Sequence, residues 1–296
     1  MPGRARHDLH HHVAPGSRLV TADDDGQVRL RNATTGTISH VLTDYARGVR
    51  TVAFKPDGTS LATVGDDGQM WLWDPNTAIP VATFDTDSIR GIRAAAYSPD
   101  GTVLAYRTLR LRDPATGAVW CTFTTDHYGS RTLAFSTDGT LLAAVGDGGT
   151  VSLWNIDTGN VQHTFTHNGT QAIQAVAFRT DGEMLATADE HGTVCLWNLT
   201  TGVLRGVLTG HEGAVGALAF SGPWLATAGD DATLRIWDPD AGTVTLMRAL
   251  STLTHRQMIT QVMCNLHPSS GGSRTRTRPS SSWNWSGACS TPCRRP

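Results

Sequence analysis

The sequence predicts an all-β architecture assembled from repeated four-stranded units, and three observations carry that expectation. Leu72-Trp73-Asp74 recurs as Leu153-Trp154-Asn155, Leu196-Trp197-Asn198 and Ile236-Trp237-Asp238, with weaker copies at Leu30-Arg31-Asn32 and Leu111-Arg112-Asp113. These markers, at 31, 73, 112, 154, 197 and 237, fall 39 to 43 residues apart, a period that signals a repeat architecture. Each unit also carries apolar segments of strand length, and the chain has 31 glycines and only 17% charged residues. That balance suits many tight turns and short strands rather than long helices.

Within a unit the elements follow in order. An inner strand ends in an aromatic, as in Val52-Ala53-Phe54, Leu133-Ala134-Phe135, Val176-Ala177-Phe178 and Leu218-Ala219-Phe220. It is apolar almost throughout, as expected when both faces are covered. Asp-Gly turns follow at 57–58, 100–101, 138–139 and 181–182, because Asp bonds local backbone and Gly accepts positive φ. Leu19, Leu61, Leu142, Leu185 and Leu225, each 12 residues before its marker, open the second strand. The marker closes the third, and a fourth strand runs outside it. In the second unit these strands are expected at 49–54, 60–64, 69–73 and 79–84. One sheet of about 40 residues cannot bury both faces, whereas stacking such sheets around an axis does.

The repeat resembles the WD-repeat family of β-propellers over residues 15–250, with six recognisable units and a vestigial seventh at most. Lys55 is the one lysine among 24 basic residues. We read this as codon bias of a GC-rich genome, so a bacterial, actinobacterial-like member is expected. The resemblance implies a hydrogen-bonded tetrad in each blade: a His, a Ser/Thr on the second strand, an Asp in the next turn, and the marker Trp. The sixth unit matches at all four, with His211, Thr227, Asp231 and Trp237. The fifth keeps Thr187 and Trp197 but has His191 at the Asp position, and the fourth has Gly148 there. The second keeps Thr63, Asp67 and Trp73, with Tyr45 near the His position, and the first has Arg31 for Trp. Leu104 and Arg112 lie only 8 residues apart, so the third unit lacks part of its central hairpin and is expected to be the least stable blade.

The ends read differently. Residues 1–14 are expected to be an N-terminal arm, in which 9–13 is a thin candidate for the first inner strand. His7, His10, His11 and His12 lack a carboxylate or Cys spaced to close a metal site. Residues 251–296 are expected to be a degenerate, mostly disordered tail rich in Ser, Arg and Pro. Within it, Leu253-Thr254-His255, Ile259, Val262 and Cys264 faintly repeat Leu208, Thr209, His211, Val215, Leu218 and Phe220. From residue 264 the tail holds five arginines, and all 26 acidic residues lie upstream of it. An abrupt break in the repeat suits a truncated or frame-shifted end.

Composition and motifs exclude several functions. A net charge of -2 argues against a nucleic-acid binder that relies on bulk charge. No run approaches the roughly 18 apolar residues of a membrane helix. The five cysteines form no C-x-x-C pair, so neither a zinc ribbon nor a disulfide framework is indicated. A cytoplasmic protein is expected. No hydrolase elbow, zincin, phosphate loop or dinucleotide fingerprint occurs, and no cofactor is expected. Channel-facing polar candidates are few: Arg50, Arg93, Arg131 and Gln174.

The expected function is a non-enzymatic scaffold for protein partners, which is what the resemblance implies for most of the family. The alternatives are a propeller hydrolase or lyase with a site at the central channel, and a sensor module from a larger signalling protein. Seven residues before each marker stand Asp24, Asp66, Asp147, Glu190 and Asp230, and only the shortened third unit breaks the series. Rotation places equivalent positions in a ring, and a ring of carboxylates concentrates negative potential. The expected partner is a basic segment, with the chain's own Arg274-Thr275-Arg276-Thr277-Arg278 as one candidate. The competing reading is that each acid only bonds its own turn.

Overall fold

In the computed structural model, the described residues are 10–249 without 15–17, 23–26, 33–34, 43–48, 66, 87–91, 93, 107–108, 124–131, 147–148 and 168–171. They form six antiparallel four-stranded sheets, each strand paired with its neighbours in sequence. Blade one holds β1 (His10–Ala14), β2 (Arg18–Ala22), β3 (Val28–Asn32) and β4 (Ile38–Leu42). Blade two holds β5 (Val49–Phe54), β6 (Leu61–Gly65), β7 (Gln69–Asp74) and β8 (Ile79–Asp85). Blade three is built from β9 (Ala95–Tyr97), β10 (Leu104–Tyr106), β11 (Arg110–Arg112) and β12 (Val119–Thr122). Blade four follows with β13 (Leu133–Phe135), β14 (Leu141–Val145), β15 (Thr150–Asn155) and β16 (Val161–Thr166). Blade five comprises β17 (Ile173–Phe178), β18 (Met184–Asp189), β19 (Val194–Asn198) and β20 (Leu204–Leu208). Blade six comprises β21 (Val215–Ser221), β22 (Trp224–Gly229), β23 (Thr233–Asp238) and β24 (Thr243–Ala249).

Local chemistry explains the shared geometry. Asp57, Asp100, Asp138 and Asp181 each accept the amide two residues on, at 2.9–3.0 Å. The glycine after each acid has φ between 70° and 78°, where an L side chain is strained. In all six blades the ladder between third and fourth strands shifts register at the marker, from Leu30/Arg31 to Ile236/Trp237. Such a bulge turns the marker side chain out of simple alternation.

Burial follows strand position. Second strands are closed on both faces: every residue of β6 and β18 is buried. Outer strands such as β8 alternate toward solvent. The apolar core lies between blades. One cluster joins Val20, Val28 and Leu30 of blade one to Val52, Phe54 and Trp73 of blade two. Another joins Met184, Ala186 and Leu196 of blade five to Val215, Leu225 and Trp237 of blade six.

The first and third blades bear on two points of the sequence reading. The first blade reaches back into the segment assigned to the N-terminal arm, since His10–Ala14 pairs along its length with Arg18–Ala22. Backbone pairing there proceeds despite three consecutive histidines. The third blade does pair its shortened hairpin, Leu104 with Arg112 and Tyr106 with Arg110. Its tight link leaves Leu109 at φ 52°. The arm before His10 and the tail from 251 lie outside the described residues.

Candidate functional site

The structure brings the four singled-out residues of blade six together. β21 is preceded by the loop bearing His211, β22 supplies Thr227, the following turn supplies Asp231, and β23 supplies Trp237. Trp237 Nε1 donates to Thr227 Oγ1 at 2.8 Å. Thr227 Oγ1 lies 2.7 Å from His211 Nε2, and His211 Nδ1 lies 2.9 Å from Asp231 Oδ2. An indole is only a donor, so Thr227 accepts from Trp237 and turns its own proton to His211 Nε2, and Nδ1–H donates to the carboxylate. Burial works to raise the Asp231 carboxyl. Hydrogen bonds from the Thr233 hydroxyl, His211 and the Thr233 and Glu212 amides outweigh it and hold the group down to about 2. Thr227 and Trp237 are closed from solvent, so the relay joins strands and presents no nucleophile.

Blade five contains a second relay that the sequence reading missed. Trp197 Nε1 donates to Thr187 Oγ1 at 2.8 Å, and His167 Nε2 meets the same oxygen. His167 Nδ1 faces Asp189 Oδ2 at 3.4 Å. Residue His191, placed at the acid's position by spacing, instead gives its backbone amide to Asp189 Oδ1 at 2.9 Å. The acid sits two residues after the Thr rather than four, and His167 precedes Thr187 by 20 residues, where His211 precedes Thr227 by 16. Thr166 replaces the usual preceding glycine, so fixed offsets skip both groups. The available signal was His167 itself, a lone imidazole between an outer and an inner strand. Desolvation lowers its pKa against the opposing pull of Asp189. Cys195 Sγ lies 3.8 Å from His167 Nδ1, but burial, aided by the Asp189 charge, pushes its thiol up to about 11. A neutral buried thiol is a core residue, not a nucleophile.

The other blades vary the relay. Trp73 Nε1 donates to Thr63 Oγ1 at 2.8 Å, and Asp67 Oδ1 accepts the Gln69 amide. Tyr45 and Gly148 lie outside the described residues. In blade three Arg112 replaces the Trp and Tyr106 replaces the Thr: the guanidinium donates to Tyr106 Oη from Nη2 at 3.1 Å. It also lies 4.8 Å from the centre of the Phe84 ring in blade two, a cation–π contact across the interface. In blade four Ala144 stands at the Thr position, and the buried Trp154 Nε1 finds no acceptor among the described residues.

Of the five acids in the proposed ring, Asp24, Asp66 and Asp147 lie outside the described residues. Glu190 and Asp230 are exposed, each on the turn between second and third strands of adjacent blades. Neither relation is confined to its own turn. Glu190 gives its amide to Ala172 O, and its Oε1 accepts the Ala172 amide, both at 3.2 Å. Asp230 gives its amide to Ala214 O at 2.8 Å. Both therefore clasp the loop leading into the inner strand. A Cβ on Gly192 would come within 2.4 Å of His211 O, so the blade-five turn lies directly on the blade-six loop and the two acids share a face.

Arg50 and Gln174 occupy bulged positions of β5 and β17, while Arg93 and Arg131 lie outside the described residues. Among the described residues no group of three or more His, Cys, Asp or Glu is placed to hold a metal ion.

Four-stranded blades, Thr–Trp links and an inter-blade core define a repeat protein built of β-propeller blades. Residues 36–74, 119–155, 159–198 and 202–238 match the WD40 family, WD domain, G-beta repeat. These stretches make up about half of the chain, which belongs to that family. The altered third unit falls between the matched stretches. Among similar curated proteins, WD repeat-containing protein 1-A of Xenopus laevis is 36% identical over 66 residues, covering 22% of this chain and 11% of the relative. Meiotic recombination protein rec14 of Schizosaccharomyces pombe is 37% identical over 59 residues, covering 20% of each. The matched part is thus a small fraction of either relative. WD40 repeats are generally protein-interaction scaffolds.

Proposed function

We propose that this chain is a non-enzymatic cytoplasmic scaffold whose acidic face recruits an Arg- or Lys-rich segment of a protein partner. The observation that carries the proposal is the pair Glu190 and Asp230, exposed at equivalent turns of neighbouring blades. Their backbones are pinned to the adjoining loops, so the carboxylates stand on a rigid rim. The sequence continues the series with Asp24, Asp66 and Asp147. Like charges held in one ring attract a cationic segment at long range and set its orientation.

The test replaces Asp66, Asp147 and Glu190 by Asn, Asn and Gln. The probe is a labelled Arg-Thr-Arg-Thr-Arg peptide, followed by fluorescence anisotropy across a salt series. Weaker binding and a shallower salt dependence are expected. Unchanged affinity and unchanged salt dependence would remove the electrostatic role.

A further inference from the structure

We propose that His191 makes the acidic face pH-sensitive: its protonation sets a positive charge among the carboxylates at the corner of blades five and six and releases the basic segment. The proposal rests on the acidic-face reading above and names how that face is regulated.

His191 occupies the turn position that carries the relay acid in blade six, where Asp231 Oδ2 lies 2.9 Å from His211 Nδ1. In blade two the same position is Asp67, whose carboxylate takes the Gln69 amide. Blade five moves this task to Asp189 at the end of β18, which faces His167 Nδ1 and accepts the His191 and Thr193 amides, both at 2.9 Å. Only the backbone of His191 is used. Its imidazole is exposed and makes no hydrogen bond or ion pair to any described residue. A titratable side chain therefore stands on the face without a structural task. Histidine is the side chain that gains charge between pH 5 and 8.

Backbone packing gathers acids around it. The turn bearing Glu190 and His191 lies on the blade-six loop, since a Cβ on Gly192 would come within 2.4 Å of His211 O and 2.9 Å of Gly213 O. A Cβ on Gly213 would in turn lie 3.3 Å from the Asp230 side chain. The two turns and the loop between them thus form one corner. Its titratable and charged groups are Glu190 and the buried Asp189 and His167 from below the first turn, His211 and Glu212 from the loop, and Asp230, Asp231 and Arg235 from blade six. Asp231 is engaged by His211, and Arg235 Nη2 lies 3.5 Å from its Oδ2. Glu190, Glu212 and Asp230 are exposed with His191, so three carboxylates and one imidazole present their charge outward. A cation set among those carboxylates weakens their pull on a second cation, by a few-fold for one unit charge a few ångströms away in water.

The test follows a labelled Arg-Thr-Arg-Thr-Arg peptide on the full chain by fluorescence anisotropy at low salt, at about pH 7.5 and about pH 5.5. The peptide's arginines stay charged at both values. The wild type should bind about threefold to tenfold more weakly at the lower pH. His191→Gln should remove most of that change, and His191→Arg should bind weakly at both values. Equal pH dependence in wild type and His191→Gln would overturn the switch and leave the acidic face standing. Peptide binding absent at the higher pH, or indifferent to salt, would overturn the acidic face and the switch with it. A Tm for His191→Gln clearly below that of the wild type would give the imidazole a structural task and overturn the proposal too.

Discussion

Giving Trp154 a threonine acceptor should stabilise the protein. Its indole nitrogen is buried without a hydrogen-bond partner among the described residues, while Trp73, Trp197 and Trp237 each donate to a threonine at 2.8 Å. The threonine lies ten residues before each Trp, and that position in blade four is Ala144. Ala144 pairs with Ser152 as Thr187 pairs with Cys195, so a threonine there directs its hydroxyl at the indole. An unmade bond at a buried donor costs about 1–3 kcal/mol, and a β-branched residue suits a strand. Against this stands the fit of two added atoms at a buried site. Ala144→Thr should therefore gain about 1–2 kcal/mol, a rise in Tm of roughly 3–6 °C for a domain of this size. Ala144→Val has the same shape without the oxygen and should show no such gain. Calorimetry of the two variants decides: an equal rise for Val and Thr, or a fall for Thr, refutes the hydrogen-bond argument.

Other outcomes follow from the same geometry. His167→Ala should cost about 1–3 kcal/mol by chemical denaturation, because Thr187 and Asp189 lose their buried partner, whereas His191→Ala should change stability by less than about 0.5 kcal/mol. Asp231, held at about 2 against an ordinary 3.8, contributes stability that is present above pH 3.8 and is lost as the pH falls toward 2. Asp231→Asn should flatten the Tm–pH curve in that window. The lowered pKa of His167 has the same sign. Its contribution is full above its ordinary 6.5 and declines as acid favours the protonated unfolded chain, so His167→Gln should reduce the loss of Tm between pH 7 and pH 5. Ala78 sits at φ 58°, where blades with glycine at the same turn position have φ of 67° to 76°. Ala78→Gly should raise stability by about 0.5–1 kcal/mol in urea unfolding, by releasing left-handed strain.

The blade plan was legible because the repeat prints each requirement on the sequence several times. Asp-Gly turns, strand-opening leucines and marker tryptophans recur at offsets that the sheets then share. The departures come where one physical task can be met by different residues. In blade five the acid moves from the turn tip to Asp189 at the strand end, because what matters is reach to the imidazole and not position in a count. In blade three Tyr106 and Arg112 exchange an indole–hydroxyl link for a guanidinium–phenol one, and no marker-based reading signals that pairing. The relation of Glu190 to Ala172 is equally invisible in sequence, since it depends on how a turn meets a loop 18 residues away. The sequence could show the acids as a periodic series but not which backbone each one braces.

The acidic-face account is tested most directly by mapping where a cationic ligand lands. A photo-crosslinking Arg-Thr-Arg-Thr-Arg peptide, bound at low salt and analysed by mass spectrometry, should mark the second-to-third-strand turns that carry Glu190 and Asp230. Those labels should fade as salt rises. Labelling concentrated at the opposite ends of the blades, on the turns at 57–58, 100–101, 138–139 and 181–182, would contradict it.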